Sequence, residues 1–97
     1  MRLVVSFSVT PIGTGSTSLS KYVKAAIGVL KRRGVAYKLG PSHTDFEARD
    51  YAEMADVLRE VSDTLFAAGV KRIGVSVKID DRRDKENSME SKLGSVF

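Results

Sequence analysis

The feature that most constrains this fold is a regular change of hydrophobic period along the chain. Apolar residues alternate with small or polar ones over residues 2–9, which predicts a half-buried β-strand. Between Leu19 and Leu30 they recur every three or four residues, which predicts an amphipathic helix. Ser18 is the predicted N-cap of this helix and Gly34 its stop. The chain therefore begins with a strand and a helix joined by a loop.

The same two periods return in the rest of the chain. Residues 35–39 and 43–49 are predicted strands, joined as a hairpin by a turn at Gly40-Pro41-Ser42. A second helix is predicted from an N-cap at Asp50 to Gly69. The last strand is predicted over residues 71–79. A short final helix is predicted from three apolar residues, Met89, Leu93 and Val96.

The order βαββαβ predicts one ferredoxin-like α+β domain over residues 1–97. In this plan a four-stranded antiparallel sheet has two helices on one face, leaves its other face open, and is followed by the short C-terminal helix. Alternation turns Phe7, Tyr37 and Phe46 toward the helices. It gives the open face small and polar residues, namely Val4, Ser6, Ser8, Ala36, Lys38, Asp45, Glu47, Gly74, Ser76 and Lys78. Because a 97-residue chain buries a modest core, we expect this face to pack against a second copy or to bind a ligand.

Composition excludes several classes of function. Without cysteine the chain has no disulfide, thiolate nucleophile or cysteine-ligated metal, and a single histidine, His43, leaves no histidine pair for metal binding or acid–base catalysis. No apolar run is long enough to span a membrane, and no secretory signal is recognised, so a cytoplasmic location is expected. The net charge of +4 is scattered. No aromatic residue occupies the open face of the central strands, so nucleic-acid binding is not expected.

The loop TPIGTGSTSLS, residues 10–20, lies between the first strand and the first helix. A helix N-terminus after a glycine-rich turn can hold a phosphate. However, the loop lacks the Gly-Lys-Ser/Thr ending of a P-loop and the spacing of a dinucleotide-binding motif. The sequence favours a helix-starting turn over a phosphate site.

Two further polar groups have a structural and a functional interpretation. Asp80, Asp81 and Asp84 have the oxygen ligands that a hard cation prefers, but the intervening arginines favour salt bridges, so no metal site is expected. Glu47 on a sheet face requires a partner. Lys38 or Lys78 on neighbouring strands is the predicted partner, and the alternative is a cationic, nitrogen-rich ligand.

Three segments resemble one known family. VTPIGTGSTSLSKYV (residues 9–23), YKLGPSHTDFEA (residues 37–48) and VKIDDRRD (residues 77–84) are similar to segments of the small thiamine-binding proteins, a YkoF-like family. The resemblance covers nearly the whole chain. It implies a ferredoxin-like fold, homodimers that form a dimer of dimers, and binding of thiamine or its hydroxymethylpyrimidine moiety without catalysis or a cofactor.

The resemblance also implies a set of ligand-binding residues. Ser42, Thr44 and Glu47 match a Gly-Pro-Ser-x-Thr-x-x-Glu pattern suited to an aminopyrimidine. Tyr37 and Asp80 are candidates for the thiazolium cation, with Phe7, Phe46 and Asp45 as alternatives. The loop residues Thr10, Gly13, Thr14 and Ser16 are expected beside the ligand cleft, near a subunit boundary.

The resulting hypothesis is a carrier or sequestering protein for thiamine or its pyrimidine precursor, in which Glu47→Gln weakens binding. The alternative is a regulatory or scaffold module that recognises another protein through the open face and has no small-molecule ligand. A phosphate hydrolase on the same fold has little support, because the loop of residues 10–20 contains no arginine to hold a phosphoryl group.

Overall fold

A computed structural model describes residues 2–15 and 18–94, which form a four-stranded antiparallel sheet with three helices. The elements are β1 (Leu3–Pro11), α1 (Ser20–Arg33), β2 (Tyr37–Leu39), β3 (Thr44–Ala48), α2 (Tyr51–Ala67), β4 (Ile73–Asp81) and α3 (Met89–Gly94). The strand order is β2-β3-β1-β4. This confirms the ferredoxin-like α+β fold, whereas Val96, predicted in the final helix, lies outside the described residues.

The main core lies between the sheet and the helices α1 and α2. Strand alternation places Phe7 and Phe46 on this side, where their rings meet edge to face with centroids 5.6 Å apart. Tyr37 packs against the same core. The predicted orientation of these three aromatic residues is therefore confirmed. The other buried members are Leu3, Val5, Ala26, Val29, Leu30, Ala48, Val57 and Val61.

The helix ends show which local signals fix the boundaries. Gly34 ends α1 in the left-handed conformation (φ +69°), where glycine has no Cβ penalty. The Asp50 side chain caps α2 by accepting a hydrogen bond from the Glu53 amide at 2.8 Å. Both predictions are confirmed.

The prediction that Ser18 is the N-cap of α1 is wrong. Leu19 occupies that position, without a side-chain cap, and its carbonyl accepts hydrogen bonds from the amides of Tyr22 and Val23. The Leu19 side chain packs against a second small core formed by Tyr22, Leu65 and Val70. Packing of an apolar side chain, rather than a hydroxyl cap, accompanies the start of this helix.

The face of the sheet opposite α1 and α2 is not fully open, because the chain folds back across it after β4. We call residues 82–94, which include α3, the returning segment. Val4, predicted on an uncovered face, is only 7% exposed. Asn87 fastens the returning segment by donating hydrogen bonds from Nδ2 to the carbonyls of Asp80 (2.9 Å) and Arg2 (3.3 Å). The prediction of an open face is therefore wrong at Val4 and correct on β4, where Gly74, Ser76 and Lys78 are exposed.

Within residues 2–15 and 18–94, no helix combines the length and the apolar character required to cross a lipid bilayer.

Candidate functional site

One cavity lies on the helix side of the sheet, at the end where the β2–β3 hairpin approaches α1. We call it the hairpin groove. It has a volume of about 380 Å³ and is lined by Phe7, Ser8, Val9, Thr10, Leu19, Tyr22, Val23, Ala26, Leu39, Gly40, Pro41, Ser42, His43, Thr44 and Leu65. One wall is thus the end of β1, the second is the start of α1, and the third is the hairpin turn.

The hairpin turn depends on a glycine at its first position. The Gly40 amide donates a hydrogen bond to the His43 carbonyl at 2.8 Å. A Cβ at residue 40 would lie 2.9 Å from that carbonyl oxygen, which is closer than carbon and oxygen atoms normally approach. Only glycine fits here without movement, and the turn in turn positions Ser42 and Thr44 at the groove.

The groove is apolar with several hydroxyl groups. Among the described residues that line it, none is a lysine, arginine, aspartate or glutamate. Thr44 and Tyr22 are both buried, and the tyrosine adds an aromatic residue to the wall. Lys21 Nζ lies 4.9 Å from the centroid of that ring, in cation–π contact with it. The groove therefore suits an aromatic ligand that hydrogen-bonds through neutral groups.

A second cavity lies on the other face, between the sheet and α3, and we call it the strap cavity. Its volume is about 200 Å³, and it is lined by Val4, Ser6, Lys38, Asp45, Lys78, Asp80, Met89, Lys92 and Leu93. Lys92 of α3 pairs with Asp80, and the Ser6 hydroxyl donates a hydrogen bond to Asp45. His43 Nε2 also lies 3.6 Å from Asp45 Oδ2. This cavity is charged, with three lysines against two carboxylates.

Glu47 lies beside the strap cavity and fastens the returning segment. Its Oε1 accepts a hydrogen bond from Arg2 Nη1 at 3.0 Å, and its Oε2 accepts one from the Met89 amide at 2.8 Å. The prediction that Lys38 or Lys78 pairs with Glu47 is wrong. Lys38 lies opposite Asp45 in the sheet, and Lys78 belongs to a strand that does not neighbour β3. Arg2 reaches Glu47 diagonally, because Val4, two residues further on, is directly opposite Glu47.

Acidic residues at the end of β4 and just after it form ion pairs, as predicted. Arg82 bonds Asp84, and Arg83 bonds Asp81 with distances of 3.1 and 2.8 Å. The hydrogen bonds from Arg83 and from Tyr51 hold the pKa of Asp81 below its usual value. In the part of the chain that the structure describes, no group of three or more acidic or histidine side chains is arranged to hold a metal ion.

The structure distributes the six predicted ligand residues over several places. Ser42 and Thr44 share the hairpin groove. Glu47 and Asp80 lie on the opposite face of the sheet, and Tyr37 packs against the core. Thr44 and Glu47 point to opposite faces because they are three residues apart on one strand. Their roles as ligand residues stay predictions.

The sixth predicted residue, Thr14, lies in the loop before α1. It lines a depression that it shares with Ser18, Ser20, Lys21 and Tyr22. Since Tyr22 also lines the hairpin groove, Thr14 lies beside the groove, and its place at a ligand cleft stays a prediction. Ser16, expected in the same place, lies outside the described residues.

The sequence analysis missed the contribution of Tyr22 and Leu19. Both were assigned only to the apolar stripe of the first helix, whereas each also lines the groove. The available signal was a tyrosine in the first turn of a helix that follows a glycine-rich loop. Tyrosine combines an apolar ring with a polar end and often lies where a core meets a site.

Comparison with known proteins gives consistent results. The model of a family described as thiamine-binding protein matches residues 5–97. A UPF0045 protein of Methanothermobacter thermautotrophicus is 37% identical over 94 residues, which are 97% of this chain and 95% of that protein. A UPF0045 protein of Bacillus subtilis is 32% identical over 97 residues, covering 96% of this chain and 92% of its own.

Solved structures share the fold. The crystal structure of a hypothetical protein from Methanocaldococcus jannaschii has a TM-score of 0.86 and 38% identity, covering 98% of this chain and 95% of that chain. A Thermotoga maritima structure, described as a candidate thiamine biosynthesis/salvage protein, has a TM-score of 0.81 and 24% identity over the whole of both chains. At that identity it supports the fold alone.

Proposed function

We propose that this chain, which belongs to the thiamine-binding protein family, is a non-catalytic protein that binds thiamine or its hydroxymethylpyrimidine moiety. It would act as a carrier or sequestering protein in a homo-oligomer. The observation that carries the proposal is the hairpin groove, whose described lining combines hydroxyl groups and an aromatic wall without an acidic residue, lysine or arginine.

The size and chemistry of the hairpin groove support this ligand. Its volume of about 380 Å³ lies within the usual range for small-molecule sites, whereas the strap cavity, at about 200 Å³, is below it. An aminopyrimidine is uncharged near neutral pH and exchanges hydrogen bonds with hydroxyl groups such as those of Ser42 and Thr44. A thiazolium cation would take the place of the Lys21 ammonium group, which lies 4.9 Å from the centroid of the Tyr22 ring.

Self-association is part of the proposal because the chain is small. A 97-residue domain buries a limited fraction of its surface, and pairing of copies adds buried apolar area. Several large apolar side chains remain exposed in one copy, and Leu39, at 60%, is the most exposed of those described.

Isothermal titration calorimetry of the full chain with thiamine, and separately with hydroxymethylpyrimidine, tests the proposal. The wild type should bind at least one of them saturably. Thr44→Val should weaken binding about tenfold, because one hydrogen bond contributes about 1 kcal/mol or slightly more. Thr64→Val is the matched control. Its hydroxyl bonds the Glu60 carbonyl on α2 and does not line the groove, so its affinity should stay at the wild-type value.

Absence of saturable heat with both ligands would overturn the proposed function. If a protein partner were then captured reproducibly by the wild type, the regulatory or scaffold alternative would take its place. Equal loss of affinity in Thr44→Val and Thr64→Val would show that the ligand does not bind in the groove, because only the Thr44 hydroxyl lies there.

A further inference from the structure

The floor of the strap cavity includes one row of residues that crosses the whole sheet. Lys38 of β2 lies opposite Asp45 of β3. Ser6 of β1 lies opposite Asp45 on one side and opposite Lys78 of β4 on the other. Directly opposite residues point to the same face of an antiparallel sheet. The row therefore has a lysine at each end and a serine–aspartate pair at its centre.

Both aspartates that line this cavity are already engaged by donors. Asp45 accepts a hydrogen bond from the Ser6 hydroxyl through Oδ1, and its Oδ2 lies 3.6 Å from His43 Nε2. Asp80 forms an ion pair with Lys92 of α3. The negative charge of the cavity is thus directed toward groups of the protein itself, which disfavours a cationic ligand.

The two lysines at the ends of the row differ from Lys92. Among the described residues, neither Lys38 nor Lys78 forms an ion pair or a hydrogen bond through its ammonium group. Three lysines against two aspartates leave the lining with a formal excess of one positive charge. A lysine ammonium group has three donors on a flexible stem, so an anion between β2 and β4 can accept hydrogen bonds from both sides.

One side of the strap cavity is apolar. We call Val4, Met89 and Leu93, which line this side, the apolar wall. Val4 and Met89 are each 7% exposed, whereas Leu93 on α3 is 44% exposed. Since the whole cavity has a volume of about 200 Å³, below the usual range for drug-sized ligands, only a small molecule fits between the lysines and this wall.

We propose that the strap cavity is a second binding site, which takes a small organic anion. The oxyanion group lies between the ammonium groups of Lys38 and Lys78, and a short hydrocarbon part packs against the apolar wall. This inference goes beyond the proposed function, because the sheet separates the strap cavity from the hairpin groove and the two sites prefer opposite charges.

Titration of the isotope-labelled full chain with sodium butyrate, followed by amide NMR at constant ionic strength, tests this site. Butyrate should shift the amide signals of Ser6, Asp45 and α3 saturably and leave those at the start of α1 unchanged. Acetate has the same charge and two fewer methylene groups, so it should bind about fivefold more weakly. Shifts that do not saturate, or that lie mainly in α1, would overturn the proposal.

Inorganic phosphate is the third probe and separates an organic anion from a free oxyanion. Phosphate can accept hydrogen bonds from both lysines but has no part that packs against the apolar wall. It should therefore bind more weakly than butyrate. Tighter binding of phosphate than of butyrate would overturn the organic ligand, and so would equal affinities for butyrate and acetate.

Single lysine variants test the oxyanion position. Lys38→Met and Lys78→Met each keep a long apolar side chain and remove one ammonium group. Each should weaken butyrate binding about tenfold, because a hydrogen bond to a charged group is lost. Lys24→Met on α1 is the matched control, since Lys24 is also exposed and lies outside the cavity. Equal weakening in all three variants would show that net charge alone attracts the anion, and would overturn the site.

Leu93→Ala tests the apolar part without changing charge. It shortens an exposed side chain of the apolar wall, so it should reduce the difference in affinity between butyrate and acetate. An unchanged difference would show that the hydrocarbon part does not contact this wall.

A competition experiment separates this site from the proposed function. Saturating thiamine should leave the affinity for butyrate unchanged, because the two ligands bind on opposite faces of the sheet. Competition between them would overturn the second site. Absence of thiamine binding with saturable butyrate binding would overturn only the proposed function, and the reverse result would overturn only the anion site.

Discussion

The hairpin groove and the strap cavity lie on opposite faces of one sheet and differ chiefly in charge. The described wall of the groove has hydroxyl groups and an aromatic ring but no acidic residue, lysine or arginine, whereas three lysines and two aspartates line the cavity. Both receive residues from β3, because its side chains alternate: Thr44 goes to the groove and Asp45 to the cavity. One short strand therefore supplies two chemically distinct surfaces.

This difference bears directly on ligand choice. A thiazolium ring carries a permanent positive charge and is repelled by the ammonium groups that line the strap cavity. Asp45 and Asp80, which would attract it, already accept bonds from Ser6 and Lys92. The lysines that line the strap cavity do not line the groove. A variant on one face of the sheet should therefore affect stability and ligand binding differently from a variant on the other face.

The largest expected effect comes from the helix side of β3. Phe46 is fully buried against Phe7, and Phe46→Ala should lower the free energy of unfolding by about 3–5 kcal/mol through lost burial and a cavity. Asp45→Asn changes the preceding residue of β3, whose side chain lies on the other face of the sheet and is partly exposed. This substitution should lower the free energy of unfolding by about 1 kcal/mol or less. Urea unfolding of both variants measures this contrast. Similar losses for both would show that the two faces contribute equally.

A smaller effect is expected at the turn that forms the groove wall. Gly40→Ala brings a Cβ against the His43 carbonyl, so the turn must move, with an expected cost of about 1–3 kcal/mol and weaker thiamine binding. Gly28→Ala is the matched control. It lies within α1, where the new Cβ meets only the end of the Arg32 side chain, and it should stabilise the protein by roughly 0.5–1 kcal/mol.

Thermal unfolding and calorimetry with thiamine measure these two glycine variants. If Gly40→Ala loses stability as expected but keeps its thiamine affinity, the turn does not form part of the ligand site.

The sequence predicted the fold because its signals are local and periodic. Alternation fixed which side Phe7 and Phe46 face, and Gly34 and Asp50 marked helix ends through their backbone and capping properties. The position of α3 was not predictable in this way. Its return across the sheet depends on contacts between residues far apart in the chain, such as Glu47 with the Met89 amide.

The candidate site was predicted less completely, for a related reason. The motif of residues 40–47 is continuous in sequence, but a strand sends neighbouring residues to different faces, so Thr44 and Glu47 separate. Tyr22, which completes the groove, comes from a helix in another part of the chain. A sequence motif identifies residues with suitable chemistry, whereas the fold decides which of them surround one volume.

The smallest expected effect, and the sharpest test of the two faces, is at Glu47. Glu47→Gln keeps an oxygen that accepts the Met89 amide but removes the charge that attracts Arg2, whose side chain is 52% exposed. Because Arg2 lies largely in solvent, although Glu47 is only 11% exposed, the pair contributes about 1 kcal/mol, so the stability should fall only slightly. Hydrogen exchange should be faster at the start of α3, and thiamine affinity should stay near the wild-type value because Glu47 does not line the groove.

A loss of affinity comparable to that of Thr44→Val would give Glu47 the ligand role that the sequence motif predicts and would move the site to the strap side. Arg2→Gln is the matched control for this variant. It removes the same ion pair from the other partner, so it should reproduce the change in stability. If Glu47→Gln weakens thiamine binding and Arg2→Gln does not, the carboxylate contacts the ligand, because loss of the ion pair alone would affect both variants equally.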